Sequence, residues 1–130
     1  EQISLATRFD LPLIIHSVQA TEDVTDLLRS HSKSRGVIHA YSGSIQQAEN
    51  LLKINFSFGF GNALTNPQAY KLHDIVKFLP IESIVIETDD HKNPDELIQV
   101  AERVARIKKL TVDEVINQCD QNTRTIFNID

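Results

Sequence analysis

Residues 83–89, Ser-Ile-Val-Ile-Glu-Thr-Asp, read as a buried strand that delivers a carboxylate at its end. Ile84, Val85 and Ile86 are β-branched and show no polar alternation, the pattern of a parallel strand covered on both faces. Two earlier stretches have the same shape. Leu11-Pro12-Leu13-Ile14-Ile15 runs into His16, and Gly36-Val37-Ile38 runs into His39. A further strand is expected over 55–61, where Phe56, Phe58 and Phe60 alternate and Gly59 and Gly61 suggest a close backbone approach at the strand end. Each strand is followed by a helical pattern. Alternation of this kind predicts an α/β fold with a parallel sheet and right-handed crossovers. All strand C-termini then share one face, so His16, His39 and Asp89 can meet although they are far apart in sequence. Two imidazoles and a carboxylate form a plausible divalent-metal site.

Working outward, Glu1 to Phe9 reads as the last turns of a helix that starts elsewhere, and the chain as a fragment. Thr21, Glu22 and Asp23 open a helix with Val24, Leu27 and Leu28 on its apolar stripe. Ser44-Ile45-Gln46-Gln47 is a capping box, with Ala48, Leu51 and Leu52 as the buried side of its helix. Asn66-Pro67 predicts a helix start, followed by Leu72, Ile75, Val76 and Leu79 at helical spacing and stopped by Pro80. Pro94, Asp95 and Glu96 begin another helix. Thr111-Val112-Asp113-Glu114, a second capping box, opens a short one, and a final helix carries Thr125, Ile126 and Phe127. The chain reads as a single domain, 1–130, of four βα units with extra C-terminal helices. Four parallel strands make either a small open sheet or half of an eight-stranded barrel, which takes about 250 residues. An open sheet protects its edges. The apolar runs 11–15 and 84–86 carry no such protection, which favours a half barrel with missing neighbours.

Composition narrows the function classes. Hydrophobic residues make up 41% and charged residues 24% of the chain, ordinary for a soluble domain. No apolar run approaches a membrane span of about 20 residues. A single cysteine, Cys119, excludes an internal disulfide, fits a cytoplasmic location and sits at a core position of a helical pattern. The net charge of −5 argues against a basic surface that tracks duplex DNA, but not against a nuclease whose bound cations neutralise the phosphate being cut.

Four ordered stretches carry a family resemblance. Leu11-Pro12-Leu13-Ile14-Ile15-His16-Ser17 resembles the strand ending in His-Ser of the TatD family of metal-dependent hydrolases, often described as deoxyribonucleases. Ile38-His39-Ala40-Tyr41-Ser42-Gly43-Ser44 is similar to its His-x-Phe-Ser-Gly segment, Ile86-Glu87-Thr88-Asp89 to its Glu-Thr-Asp signature, and 122–127 to its closing Asn…Phe helix. The resemblance implies a (β/α)8 barrel, of which this chain is the C-terminal half. It also implies a dinuclear divalent-metal site (zinc, manganese or magnesium, the histidines disfavouring magnesium alone). By the same resemblance His16 and His39 are metal ligands, and Asp89 is a ligand that also orients or deprotonates the attacking water. The implied substrate is a nucleic acid or a small phosphoester. The family's first-strand His-x-His and its bridging Glu have no counterpart here, Val18 stands where an arginine is common, and Asp90-His91-Lys92-Asn93 replaces the usual Ala-Pro or Ser-Pro. Weak metal binding and slow or absent turnover are therefore expected of this chain alone. The alternatives are a non-catalytic half-barrel remnant or a homodimer formed through open sheet edges.

Other residues carry two readings each. Glu87 either supports the site or forms a strand-end salt bridge. Ser42 and Gly43 either bind an anion at the helix start or only form the cap. His91 is either an extra ligand or a loop residue. His31 and His73 are expected on helices and solvated, and Lys108 and Lys109 are expected to complement a helix C-terminus.

Overall fold

The computed structural model describes residues 1–130 except Val18, Ser32, Asp90 and His91. The elements follow in the order α1 (Gln2–Phe9), β1 (Leu13–His16), α2 (Thr21–Arg29), β2 (Gly36–His39), α3 (Ile45–Leu52), β3 (Phe56–Phe60), α4 (Tyr70–Phe78), β4 (Ile84–Ile86), α5 (Asp95–Lys108) and α6 (Val112–Phe127). Single 3-10 turns precede α4 and β4. The strands pair in sequence order, β1-β2-β3-β4, and every pair is parallel. This is the four-strand parallel α/β architecture expected from the alternation.

Strand period then sorts the side chains. Leu13, Ile15, Ile38, Phe56, Phe58, Phe60, Ile84 and Ile86 lie on one face and enter the core with Leu28, Ala48, Leu51, Ile75, Val76, Val100, Val104 and Val115 of the helices. The alternate positions are Ile14, His16, Val37, His39, Ser57, Gly59, Val85 and Glu87, placed side by side by the register His16↔His39, Val37↔Ser57 and Gly59↔Val85. The polar positions fall at the C-terminal end of that second face. Cys119 is buried in the core, as its place in the helical pattern suggested.

Both capping boxes form. Ser44 accepts from the Gln47 backbone and Thr111 from that of Glu114, while Gln47 and Glu114 reach back to the cap N–H groups. Several expectations need correction. The Asn66-Pro67 pair does not start a helix: Asn66 Oδ1 accepts from the Gln68 N–H at 2.9 Å, a local Asx turn, and α4 begins at Tyr70. The two C-terminal helices are one, the 16-residue α6, because nothing between Glu114 and Thr125 breaks it. The fourth strand is shorter than expected, with Ser83 in a 3-10 turn and Glu87 to Asp89 beyond its end. His31 follows α2 rather than lying on it, and its Nδ1 contacts Leu27 O at 2.9 Å. His73 is not freely solvated, since its Nε2 meets Leu64 O at 3.0 Å. Lys108 does not serve its own helix end; its ammonium donates to the carbonyls of Lys77 and Leu79 at the end of α4.

The β4 edge also differs from expectation. Asn122 of α6 is buried and donates from Nδ2 to Ile81 O and Ile84 O, both at 2.8 Å, while Gln118 donates to its Oδ1 at 2.9 Å. The carbonyl at the start of β4 is thus satisfied by a side chain from α6. Among the described residues no helix is long and apolar enough to cross a membrane.

Candidate metal centre at the strand ends

The strands deliver His16 and His39 as register partners at the ends of β1 and β2. Their rings lie 5.4 Å apart between centroids and are tilted by 36°. Glu87 and Asp89 arrive from the segment after β4. Both reach His39, one at each ring nitrogen. His39 Nδ1 is 2.8 Å from Glu87 Oε2, and His39 Nε2 is 3.3 Å from Asp89 Oδ1. His39 and Glu87 are mostly buried, whereas Asp89 is 88% exposed, so Asp89 faces solvent from the rim.

The His39–Glu87 pair is held from several sides. Glu87 Oε1 accepts from the Ala40 N–H at 2.5 Å. Ala40 has a left-handed backbone, φ 50°, in the turn directly after β2. The Glu87 N–H donates to Phe60 O at 3.0 Å, which extends the β3–β4 ladder past the strand end. Gly59 completes the seat: a Cβ there would stand 2.1 Å from Glu87 Oε2. The close approach suggested by the strand glycines is therefore an approach to a carboxylate. The hydrogen bond to Glu87, with the charges of Glu87 and Asp89, holds the His39 pKa above its usual 6.5, against the lowering effect of burial.

A cleft of about 410 Å³ opens beside these residues, lined by His39, Tyr41, Ser42, Glu87, Asp89 and Glu96 among others. Tyr41 forms part of its wall. It packs edge-on against Phe58 at 4.9 Å, donates its hydroxyl to Ser44 O at 2.6 Å, and has its phenol pKa pushed up by burial. Ser44 caps α3 with its own side chain, so the capping reading of this segment holds. Glu96, in the first turn of α5, accepts from the Thr88 hydroxyl and ties that helix to the strand end.

The donor set fits a divalent ion in part. Two donors on one tetrahedral ion, each about 2.0–2.2 Å from it, stand about 3.3–3.6 Å apart. The 3.3 Å between His39 Nε2 and Asp89 Oδ1 is such an edge. With Glu87 on Nδ1, Nε2 is the nitrogen on which an ion would bind, the arrangement common to metal-binding histidines. Among the described residues, however, no three His, Cys, Asp or Glu side chains are set to hold one ion. The two nitrogens of His39 lie on opposite sides of the ring, so Glu87 and Asp89 do not converge through it, and His16 meets His39 ring to ring. His91 lies outside the described residues, as does Val18. Sequence reading singled out His16, His39 and Asp89 and left Glu87 open between support and salt bridge. The signal for support was the place of Glu87 directly after the apolar run of β4 and two residues before Asp89.

The fold and the site together define a parallel βα unit with histidines and carboxylates at its strand C-termini, the architecture of the C-terminal half of a TatD-type barrel hydrolase. The chain matches the family described as TatD related DNase over residues 1–128, and it belongs to that family. It is 33% identical to the uncharacterised metal-dependent hydrolase YjjV of Escherichia coli, an alignment covering 99% of this chain and 54% of that protein. It is likewise 33% identical to the uncharacterised metal-dependent hydrolase YabD of Bacillus subtilis, over 98% of this chain and 55% of that one. The crystal structure of the E. coli TatD homologue YjjV superimposes with a TM-score of 0.90 at 30% identity, covering 99% of this chain and 54% of that chain. A TatD-family hydrolase from Entamoeba histolytica gives a TM-score of 0.82 at 18% identity, a likeness of fold. The chain thus spans about half the length of the curated relatives it matches.

Proposed function

We propose that this chain carries part of the active centre of a metal-dependent hydrolase, with phosphodiesters of the deoxyribonuclease kind as the substrate class. The observation that carries the reading is His39, with Nδ1 held by Glu87 and Nε2 facing Asp89 Oδ1 at 3.3 Å, at the mouth of a cleft where parallel strands end. His16, His39 and Asp89 would each offer a donor to the ion without completing a three-donor set on their own, zinc or manganese being better suited to imidazole than magnesium. When bound, such an ion supplies a water of lowered pKa and polarises the scissile group. Asp89, solvent-exposed at the rim, would orient that water and accept its proton. Tyr41 and Phe60 wall the cleft on its apolar side. The net charge of −5 means that substrate phosphate is not gathered by a broad basic face. Because no three ligand-type side chains among the described residues are set to hold one ion, this chain alone is expected to bind metal weakly and turn over slowly or not at all.

The test is a zinc and manganese titration of the chain and of His39→Ala, Asp89→Asn and His16→Ala, followed by hydrolysis of bis(p-nitrophenyl) phosphate. We expect weak binding that each substitution weakens further. Binding indifferent to all of them would remove the metal reading. A second reading, a non-catalytic domain that associates with itself, has an observation of its own: Ile14 on the edge strand β1 is 65% exposed.

A further inference from the structure

We propose that Glu87, seated by Gly59 and the Ala40 N–H, is a positioning residue that fixes the tautomer and rotation of His39 so that Nε2 is the bare nitrogen turned toward Asp89. The inference rests on the metal-centre reading above and deepens it.

An ionised glutamate only accepts hydrogen bonds, and Glu87 Oε2 at 2.8 Å from Nδ1 is closer and more buried than Asp89 Oδ1 at 3.3 Å from Nε2, so in the neutral ring the proton sits on Nδ1. A neutral imidazole then has its lone pair on Nε2. A free histidine side chain favours the opposite tautomer, with Nε2 protonated, so the preference at His39 is imposed by its partner. The second carboxylate oxygen is fixed as well, because Oε1 takes the Ala40 N–H at 2.5 Å. A carboxylate pinned at both oxygens holds the ring plane as well as the proton.

Gly59 makes the seat possible. A side chain at 59 would put its Cβ 2.1 Å from Glu87 Oε2, inside any tolerable contact. Gly59 also accepts the Tyr41 N–H on its carbonyl at 3.0 Å, a bond that any residue at 59 would keep. It lies within β3, its backbone is not in the left-handed region, and the nearest atoms to such a Cβ all belong to the Glu87 carboxyl group. Those atoms end a flexible side chain. Gly59→Ala therefore displaces Glu87 without forcing the backbone to move, which makes it a way to break the His39–Glu87 contact while leaving both residues in place.

The experiment is nitrogen-15 NMR of the ring nitrogens of His39 in the metal-free chain at pH 9, with zinc titration as the second readout. The wild type should show Nδ1 protonated and Nε2 bare. Glu87→Ala and Gly59→Ala should both move His39 toward the Nε2–H form. Each should weaken zinc binding by about 10- to 100-fold. Glu87→Gln has one acceptor oxygen for two donors, Nδ1–H and the Ala40 N–H, so it should shift the tautomer less than Glu87→Ala does. The double variant Gly59→Ala/Glu87→Ala should bind zinc no more weakly than Glu87→Ala, because with the carboxylate gone the new methyl has nothing to displace. A tautomer unchanged in both Glu87→Ala and Gly59→Ala overturns the proposal. The NMR arm needs no metal, so it decides the role of Glu87 even if zinc binding proves indifferent to His39 and the metal reading fails.

Discussion

Cys119 shows what burial alone does to a titratable group. Its thiol lies in the core between α6 and its neighbours, and burial pushes its pKa up to about 11 from 9.0. The native state therefore keeps the proton in a pH range where the unfolded chain releases it. The stability this contributes is complete below pH 9 and is lost as pH rises through about 11. Thermal melts should fall across that window in the wild type and fall less in Cys119→Ala. Iodoacetamide at pH 8 should modify the thiol only after denaturation. Residues like this one were legible in the sequence because apolar periodicity alone assigned them. Glu87 was not, because its role depends on where a different strand stops. Only the β2–β3–β4 register sets Gly59 beneath its carboxylate and His39 beside it.

At the scale of the element, Asn122 joins a helix to a strand. Its amide is buried, donates to two carbonyls and accepts from Gln118, so all of its main bonds are made inside the protein. Asn122→Leu would remove the side-chain donor from Ile84 O and leave Ile81 O with only the Ile84 N–H, and should cost about 1–3 kcal/mol. A lower midpoint in urea with an unchanged slope would confirm it, and an unchanged midpoint would contradict it. The strands and capping boxes were legible because their signals are local: apolar runs for β1, β2 and β4, and a Ser or Thr three residues before Gln or Glu for α3 and α6. The Asn66-Pro67 signal was equally local and misled. The Asn66 side chain has two uses, a helix cap or an Asx turn, and the chain between β3 and α4 takes the turn. The joining of the C-terminal helices was missed because the middle of α6, Gln118 to Asn122, is polar on the face that meets the strand ends.

At the scale of the whole molecule, the two edges of the sheet are not equivalent. Among the described residues β1 and β4 each have a single strand neighbour. The base of β4 is occupied by Asn122. No corresponding side chain from a helix reaches β1 among the described residues, and around it Phe9, Leu11 and Ile14 are 60%, 57% and 65% exposed. An edge strand with unpaired backbone groups and apolar neighbours is a template for another strand. A second copy of this chain offers such a strand in its own exposed β1 edge. Sedimentation equilibrium should therefore show a mass that rises with concentration above 14.7 kDa. Ile14→Lys places a charge at the middle of the edge, far from the core face, and should return the mass to the monomer value without lowering the melting temperature. A wild-type mass fixed at 14.7 kDa across the concentration range would show that the exposed edge does not recruit a copy. If association is found and also strengthens zinc binding, the partner copy is completing the metal centre. If association leaves zinc binding unchanged, the edge and the strand-end site act independently.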